Sequence, residues 1–224
     1  MSQPHDATNA PPVQIDIISD VMCPWCIVGY LQLQRALAAV GVGASIRWHP
    51  FELNPQMPPE GQDLAEHMAE KYGASARQSS ENRERLMQIG QELGFDFRFS
   101  ETSRIVNTFA AHQLLDWAET FGKQHALKRA LFDAYFTDGQ DLSDSGVLAD
   151  IASSAGLDRD AAAAILASGS HADATRERQA FWTSRGISGV PAMVFDGRYL
   201  LTGAQGVETY TQMLQKILAE KAAA

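Results

Sequence analysis

The sequence predicts an α/β protein carrying a large all-helical insertion, and three observations predict it. A run rich in β-branched residues, Val13–Ser19, leads through a helical stripe into a second alternating run, Ala44–His49. From about residue 60 to residue 185 the apolar period is that of helices, with no convincing strand pattern. Strand signals then return at 192–202, followed by one more amphipathic stretch. The order is therefore β–α–β, a helical block, and β–β–α. We expect an α/β unit made of residues 13–57 and 186–224, an insertion over 58–185, and a disordered N-terminal tail over 1–12.

The first strand is signalled by Val13, Ile15, Ile17 and Ile18, too apolar for one solvated face and consistent with burial. The helix after it shows Ile27, Tyr30, Leu31, Leu33 and Leu37 on one stripe, and Gly41 and Gly43 end it. Pro50, Pro55, Pro58 and Pro59 mark the exit from the first unit. Asp63–Tyr72 and Ser75–Leu93 read as helices, followed by a face of Val106, Phe109, Ala110, Leu114 and Trp117. Leu127, Leu131 and Tyr135, with Phe132 and Phe136 beside them, make the next stripe, and Val147, Leu148, Ile151 and Ala152 another. Gly156 then Asp158 reads as one helix stopping and the next being capped, and Gly169-Ser170 as a second such pair. Ala192–Phe195, Asp196-Gly197 and Arg198–Thr202 form a hairpin signature, and Gly206 to Lys221 closes the chain as an amphipathic helix.

Length and charge narrow the function classes. A chain of 224 residues can bury a sizeable core without staples. With 18 basic against 27 acidic residues, the formal net charge of −9 argues against nucleic acid as partner. Seven of the acids fall within residues 133–160, where they read as helix caps and solvated surface. Asp138–Asp144 hints at a calcium loop, but its twelfth position is Ala149, where a bidentate Glu is needed. No apolar run reaches the roughly 18 residues of a membrane span. The first dozen residues, MSQPHDATNAPP, have neither the basic nor the apolar region of a secretory signal, so we expect a cytoplasmic protein. The amphipathic stripes set no oligomeric state.

The chemistry lies in Cys23-Pro24-Trp25-Cys26, the site of the only two cysteines. The pair follows a strand and opens a helix. The unpaired N–H groups and dipole of a helix N-terminus favour an anion, and the thiolate is the reactive form of cysteine. Cys23 sits at that terminus; Cys26 lies one turn deeper and is expected to be less exposed. Pro24, lacking an N–H, suits the first turn, and Trp25 adds apolar surface beside the sulfurs. Two other readings are weighed against redox chemistry. Half a zinc site would need two more ligands, and the six histidines are scattered without ligand spacing. Two ordinary core cysteines would not need the strand–CxxC–helix setting. A second feature is Gly189-Val190-Pro191, where proline opens a strand and gives up a ladder hydrogen bond.

SDVMCPWC at 19–26, PFELNP at 50–55, LFDAYFTDGQDLSD at 131–144, GVPAMVF at 189–195 and GAQ at 203–205 resemble the DsbA-like thioredoxin family, in its FrnE-type branch. The resemblance spans nearly the whole chain. It implies a thioredoxin-like fold with a helical insertion, and dithiol–disulfide exchange on protein or small-molecule disulfides without metal or organic cofactor. It maps the nucleophile to Cys23, the resolving thiol to Cys26 and a cis-proline to Pro191. That proline would face the cysteines and leave the Val190 backbone free to pair with an extended substrate. Arg104, Asn107 and His112 match polar positions of this family and its glutathione-using cousins, the alternative being cap or surface residues; His49 ends the second strand, where a satisfied core histidine is the plainer reading. Trp48, Phe51, Phe181 and Trp182 read as core.

Two departures from the family matter. Its periplasmic oxidants carry export signals, and no such pattern is seen here. Some FrnE-type proteins add a C-terminal cysteine pair, and this chain has no cysteine after Cys26. Electrons must then come from an external thiol reductant, with glutathione as candidate reductant or co-substrate. Two alternatives stay open: a glutathione-dependent transferase or isomerase of the kappa-like, 2-hydroxychromene-2-carboxylate isomerase type, and a holdase or interaction protein whose activity does not need the cysteines.

Overall fold

A computed structural model describes residues 12–100 and 102–223. The expected N-terminal tail thus lies, except for Pro12, outside the described residues. Strand β1 (Val13–Ser19) enters helix α1 (Pro24–Val40) through the cysteine motif, and α1 returns to strand β2 (Ala44–Pro50). Gly41 closes α1 in the left-handed conformation that its C-cap requires (φ 72°). At the far end, β5 (Ala192–Phe195), β6 (Tyr199–Thr202) and α9 (Val207–Ala222) complete the α/β unit. The sheet runs β2-β1-β5-β6. β1 is parallel to β2, with Ile17 opposite Trp48, and antiparallel to β5, with Ile18 opposite Ala192. Asp196 and Gly197 both have positive φ, as the tight turn of this hairpin demands.

Between these halves run α2 (Leu64–Tyr72), α3 (Ala76–Leu93), α4 (Phe109–Glu119), α5 (Gln124–Phe136), α6 (Ser145–Ser154), α7 (Arg159–Ser168) and α8 (Ala172–Thr183). Two corrections to the sequence reading fall here. Strands β3 (Gln62–Asp63) and β4 (Arg104–Ile105) pair antiparallel within the segment read as wholly helical. Two residues are too few to show alternation. The residue capping α8 is His171 rather than Ser170, and it makes no side-chain cap bond. Asp158 does cap α7, accepting the Ala161 N–H at 2.7 Å.

The cores explain how the insertion is held. One cluster joins Ile15, Ile17, Tyr30, Leu33, Trp48, Phe195 and Leu214 of the α/β unit to Leu86, Phe95, Phe97, Phe132 and Phe136 of the helical segment. A second lies mainly among α4, α5, α6 and α7, and takes in Val21 and Met22. The opposite face of the sheet, at Ile18 and Ala192, packs under Trp182 of α8. Phe181, read as core, is instead exposed.

Gly90 of α3 is where aromatic packing leaves no room. A Cβ there would lie 2.5 Å from Phe97 Cδ2 and 2.6 Å from the Phe95 carbonyl oxygen. Gly90→Ala should therefore destabilise despite its better helix propensity, by about 1–3 kcal/mol from overpacking. A thermal melt should show a fall of roughly 3–10 °C.

Candidate active site

Cys23 is the N-cap residue of α1, in extended conformation (φ −89°, ψ 110°), and its side chain makes no cap bond. Pro24 occupies the first helical turn and Trp25 is exposed. The Cys23 backbone is tied on both sides: its N–H donates to Asp20 O at 3.3 Å, and its carbonyl accepts the Cys26 N–H at 3.0 Å. Both cysteines are free thiols that lie close together, one helical turn apart. Cys23 retains 4% of its surface and Cys26 none, the asymmetry expected of an outer and an inner thiol.

Across from them is the turn entering β5. The Val190–Pro191 peptide bond is cis, and the Cys23 Sγ lies 3.7 Å from the Val190 carbonyl oxygen. Gly203 N–H holds the Pro191 carbonyl at 2.7 Å. Gly29 lets this turn approach α1: a Cβ there would stand 3.3 Å from both Pro191 Cγ and Met193 Cε. Tyr72 ends α2, within reach of the Cys23 charge. It is exposed, and its phenol is shifted upward by partial burial and by the nearby Cys23 charge.

Behind the motif is a buried polar cluster. Asp20 accepts the Leu53 N–H at 2.7 Å and the Met22 N–H at 3.4 Å, and its Oδ1 is 3.6 Å from His112 Nε2. Burial alone would push its carboxyl up. His112, the Leu53 N–H and the Lys128 charge outweigh that and hold it below the usual carboxylate range. Burial pushes the Cys26 thiol well up, as do the hydrogen bond and charge of Cys23, while Lys128 pulls the other way. Lys128, enclosed on α5, is pulled down to about 8 by burial, against the charges of Cys26, Asp20 and Cys23.

The other sequence candidates sit elsewhere. His49 bonds Asp16 at 2.7 Å and packs against Trp182. Exposed Arg104 donates to Glu60 O at 2.7 Å, and Asn107 accepts the Phe109 N–H at 2.9 Å. His112 is 3.1 Å from Phe51 O through Nε2, the nitrogen that also faces Asp20. Cys23, Cys26, Val190 and Pro191 are thus brought together, with His112 in the shell behind them, whereas His49, Arg104 and Asn107 bond to local partners. Sequence reasoning missed Asp20, Tyr72 and Lys128. For Lys128 a signal existed: it shares an inward face with Gln124 and Phe132, one helical turn to either side.

Residues 14–215 match the family model described as the DSBA-like thioredoxin domain. The chain belongs to the DsbA-like thioredoxin family. A probable DsbA oxidoreductase from Streptomyces coelicolor is 31% identical, with a TM-score of 0.88 over 93% of this chain and 91% of that one. YwbO of Bacillus subtilis, itself uncharacterised, is 25% identical over 90% of this chain and 96% of its own length. The cytosolic disulfide reductase DsbM of Pseudomonas aeruginosa, whose structure includes glutathione, shares the fold at 17% identity, with a TM-score of 0.61 over 92% and 99%. Family membership makes the chain a thioredoxin-fold oxidoreductase with a CxxC motif. Among the described residues no cluster of His, Cys, Asp and Glu could hold a metal, and no helix is long and apolar enough to cross a membrane.

Proposed function

We propose that this chain is a cytoplasmic thiol–disulfide oxidoreductase of FrnE type that reduces or isomerises disulfides. The observation that carries the reading is the Cys23 sulfur set against the Val190 carbonyl of the cis-proline turn, with Cys26 enclosed one helical turn behind. Cys23 attacks a substrate disulfide as the thiolate, forming a mixed disulfide and releasing one thiol. Cys26 then attacks Cys23, the substrate sulfur leaves as the second thiol, and the pair is left oxidised. An external thiol, for which glutathione is the candidate, returns it to the dithiol. The Val190 backbone pairs with the extended substrate, and the exposed Trp25 flanks it.

The test is equilibration of the protein with a glutathione redox series, followed by acid quenching and mass analysis. We expect one two-electron transition with a midpoint toward the reducing end, at roughly −270 mV. A midpoint of roughly −120 mV would reverse the assigned direction and make the protein an oxidant. Failure to form the Cys23–Cys26 disulfide at any poise would overturn the redox reading and bring forward the glutathione-dependent transferase or isomerase.

A further inference from the structure

Lys128 is the only lysine or arginine in the buried set among the described residues, at 1% exposure, and it belongs to the helical insertion rather than to the sheet unit. Its position follows from α5 itself. Gln124, one turn earlier, clamps the Trp48 backbone, so Lys128 must face the same way. Its Nζ lies 5.3 Å from the Trp48 ring centroid and 4.9 Å from that of Phe132. These ring faces attract a cation but accept no proton. A cavity of about 10 Å³, room for one water, adjoins it.

The charged groups around Lys128 come from every element packed there. The charges of Cys26, Asp20 and Cys23 act on it from the motif side, and α5 meets α1 one turn past Cys26, where a His125 ring nitrogen lies 3.0 Å from the Tyr30 hydroxyl. His112 and Asp116 of α4, His49 of β2 and Arg178 of α8 line the cavity with it. Asp116 is already paired with Arg178 at 2.9 Å and His171 at 2.6 Å, and His49 with Asp16. On α5 itself, Arg129 lies over Tyr30. Asp20 and the two cysteines are left as the acidic groups that can answer this ammonium, and Asp20 already accepts two backbone N–H groups.

We propose that Lys128 is a positioning residue for resolution: its ammonium compensates the enclosed Cys26 thiolate as that thiolate attacks the mixed disulfide on Cys23. This rests on the oxidoreductase reading above. In the step, Cys26 loses its proton and its sulfur forms the Cys23–Cys26 bond. The Cys23–substrate bond breaks, and the substrate sulfur leaves as a thiolate that takes up a proton. The cysteine pair is oxidised by two electrons and the substrate disulfide is reduced by the same two. The helical insertion thereby contributes a charge to the redox centre, beyond covering it.

A coupled thiol–ammonium pair has a recognisable pH signature. Removing one proton leaves either thiolate with ammonium or thiol with amine, and resolution proceeds from the first. Its rate should climb about tenfold per pH unit and level off once the pair has lost that proton.

An aromatic disulfide that releases thionitrobenzoate separates the two steps: the first equivalent reports attack by Cys23, the second resolution by Cys26. In the wild type the second release should show the plateau. In Lys128→Met it should be slower at pH 7 by at least about tenfold and keep climbing past the pH at which the wild type levels off. An unchanged second release with an unchanged profile in Lys128→Met would overturn the proposal. A wild-type protein that releases only one equivalent would overturn the parent reading instead. Independently of any variant, the Lys128 side-chain ¹³C resonance of the wild type should titrate at lower pH when Cys23 and Cys26 are joined, because the disulfide offers no thiolate. Identical titrations in both redox states would also defeat the proposal.

Discussion

Cys23→Ser should reduce disulfide turnover to the uncatalysed rate, whereas Cys26→Ser should stall after one attack and accumulate a mixed disulfide with substrate. The two variants differ because the thiols do. Cys23 caps α1 with a side chain free of cap bonds and a sulfur against the Val190 carbonyl. Cys26 is wholly enclosed, so a substrate cannot reach it first. Each substitution exchanges sulfur for oxygen at nearly constant volume, so the loss reports chemistry rather than packing. Non-reducing mass analysis after a single exposure to a disulfide peptide reads both outcomes: an adduct on Cys26→Ser, none on Cys23→Ser. Wild-type turnover in Cys23→Ser would remove Cys23 from the mechanism. Sustained turnover in Cys26→Ser with saturable glutathione binding would favour the transferase reading, since that chemistry needs one thiol position rather than two. Suppression of aggregation that survives loss of both cysteines would mark a holdase activity separate from the redox centre.

What the sequence revealed of this site was whatever local chemistry marks. The strand Val13–Ser19, the CPWC at a strand-to-helix turn and the Asp196-Gly197 hairpin each rest on short-range patterns, and each stands where it was expected. The cis bond before Pro191 followed from the family resemblance, since a Val-Pro pair alone does not specify its isomer. What escaped was long-range. Lys128 and Cys26 are 102 positions apart in the chain, and a lysine within an apolar stripe usually snorkels to water. The Cys23 charge is felt at Tyr72 because of where α2 ends, which no periodicity announces. Asp20 precedes the motif directly, yet its role depends on the Leu53 N–H and His112, supplied by segments beyond β2 and on α4. Arg104 and Asn107 show the converse: polar residues suggested by family positions turn out to be engaged with Glu60 and Phe109.

Gln124→Leu should be the most damaging substitution outside the cysteine motif. β2 is an edge strand of the sheet, so the outward backbone groups of Trp48 have no strand to pair with. Gln124 takes that strand's place: its Oε1 accepts the Trp48 N–H at 2.9 Å and its Nε2 donates to the Trp48 carbonyl at 3.0 Å, both buried. One side-chain amide thus blunts the edge and fixes α5 in register with the sheet. Leucine has a similar volume but neither donor nor acceptor, leaving two buried backbone groups unsatisfied at about 1–3 kcal/mol each. The expected loss is roughly 2–6 kcal/mol, or a fall in Tm of roughly 5–20 °C. The change should also reach the chemistry, because Lys128 is carried on the same helix one turn later. If Gln124 anchors α5, the variant's second thionitrobenzoate release should slow even at temperatures where circular dichroism shows it folded, while the first release changes less. A variant with wild-type Tm and both phases intact would mean that α5 is held by its apolar stripe alone, through Leu127, Leu131 and Phe132, all fully buried.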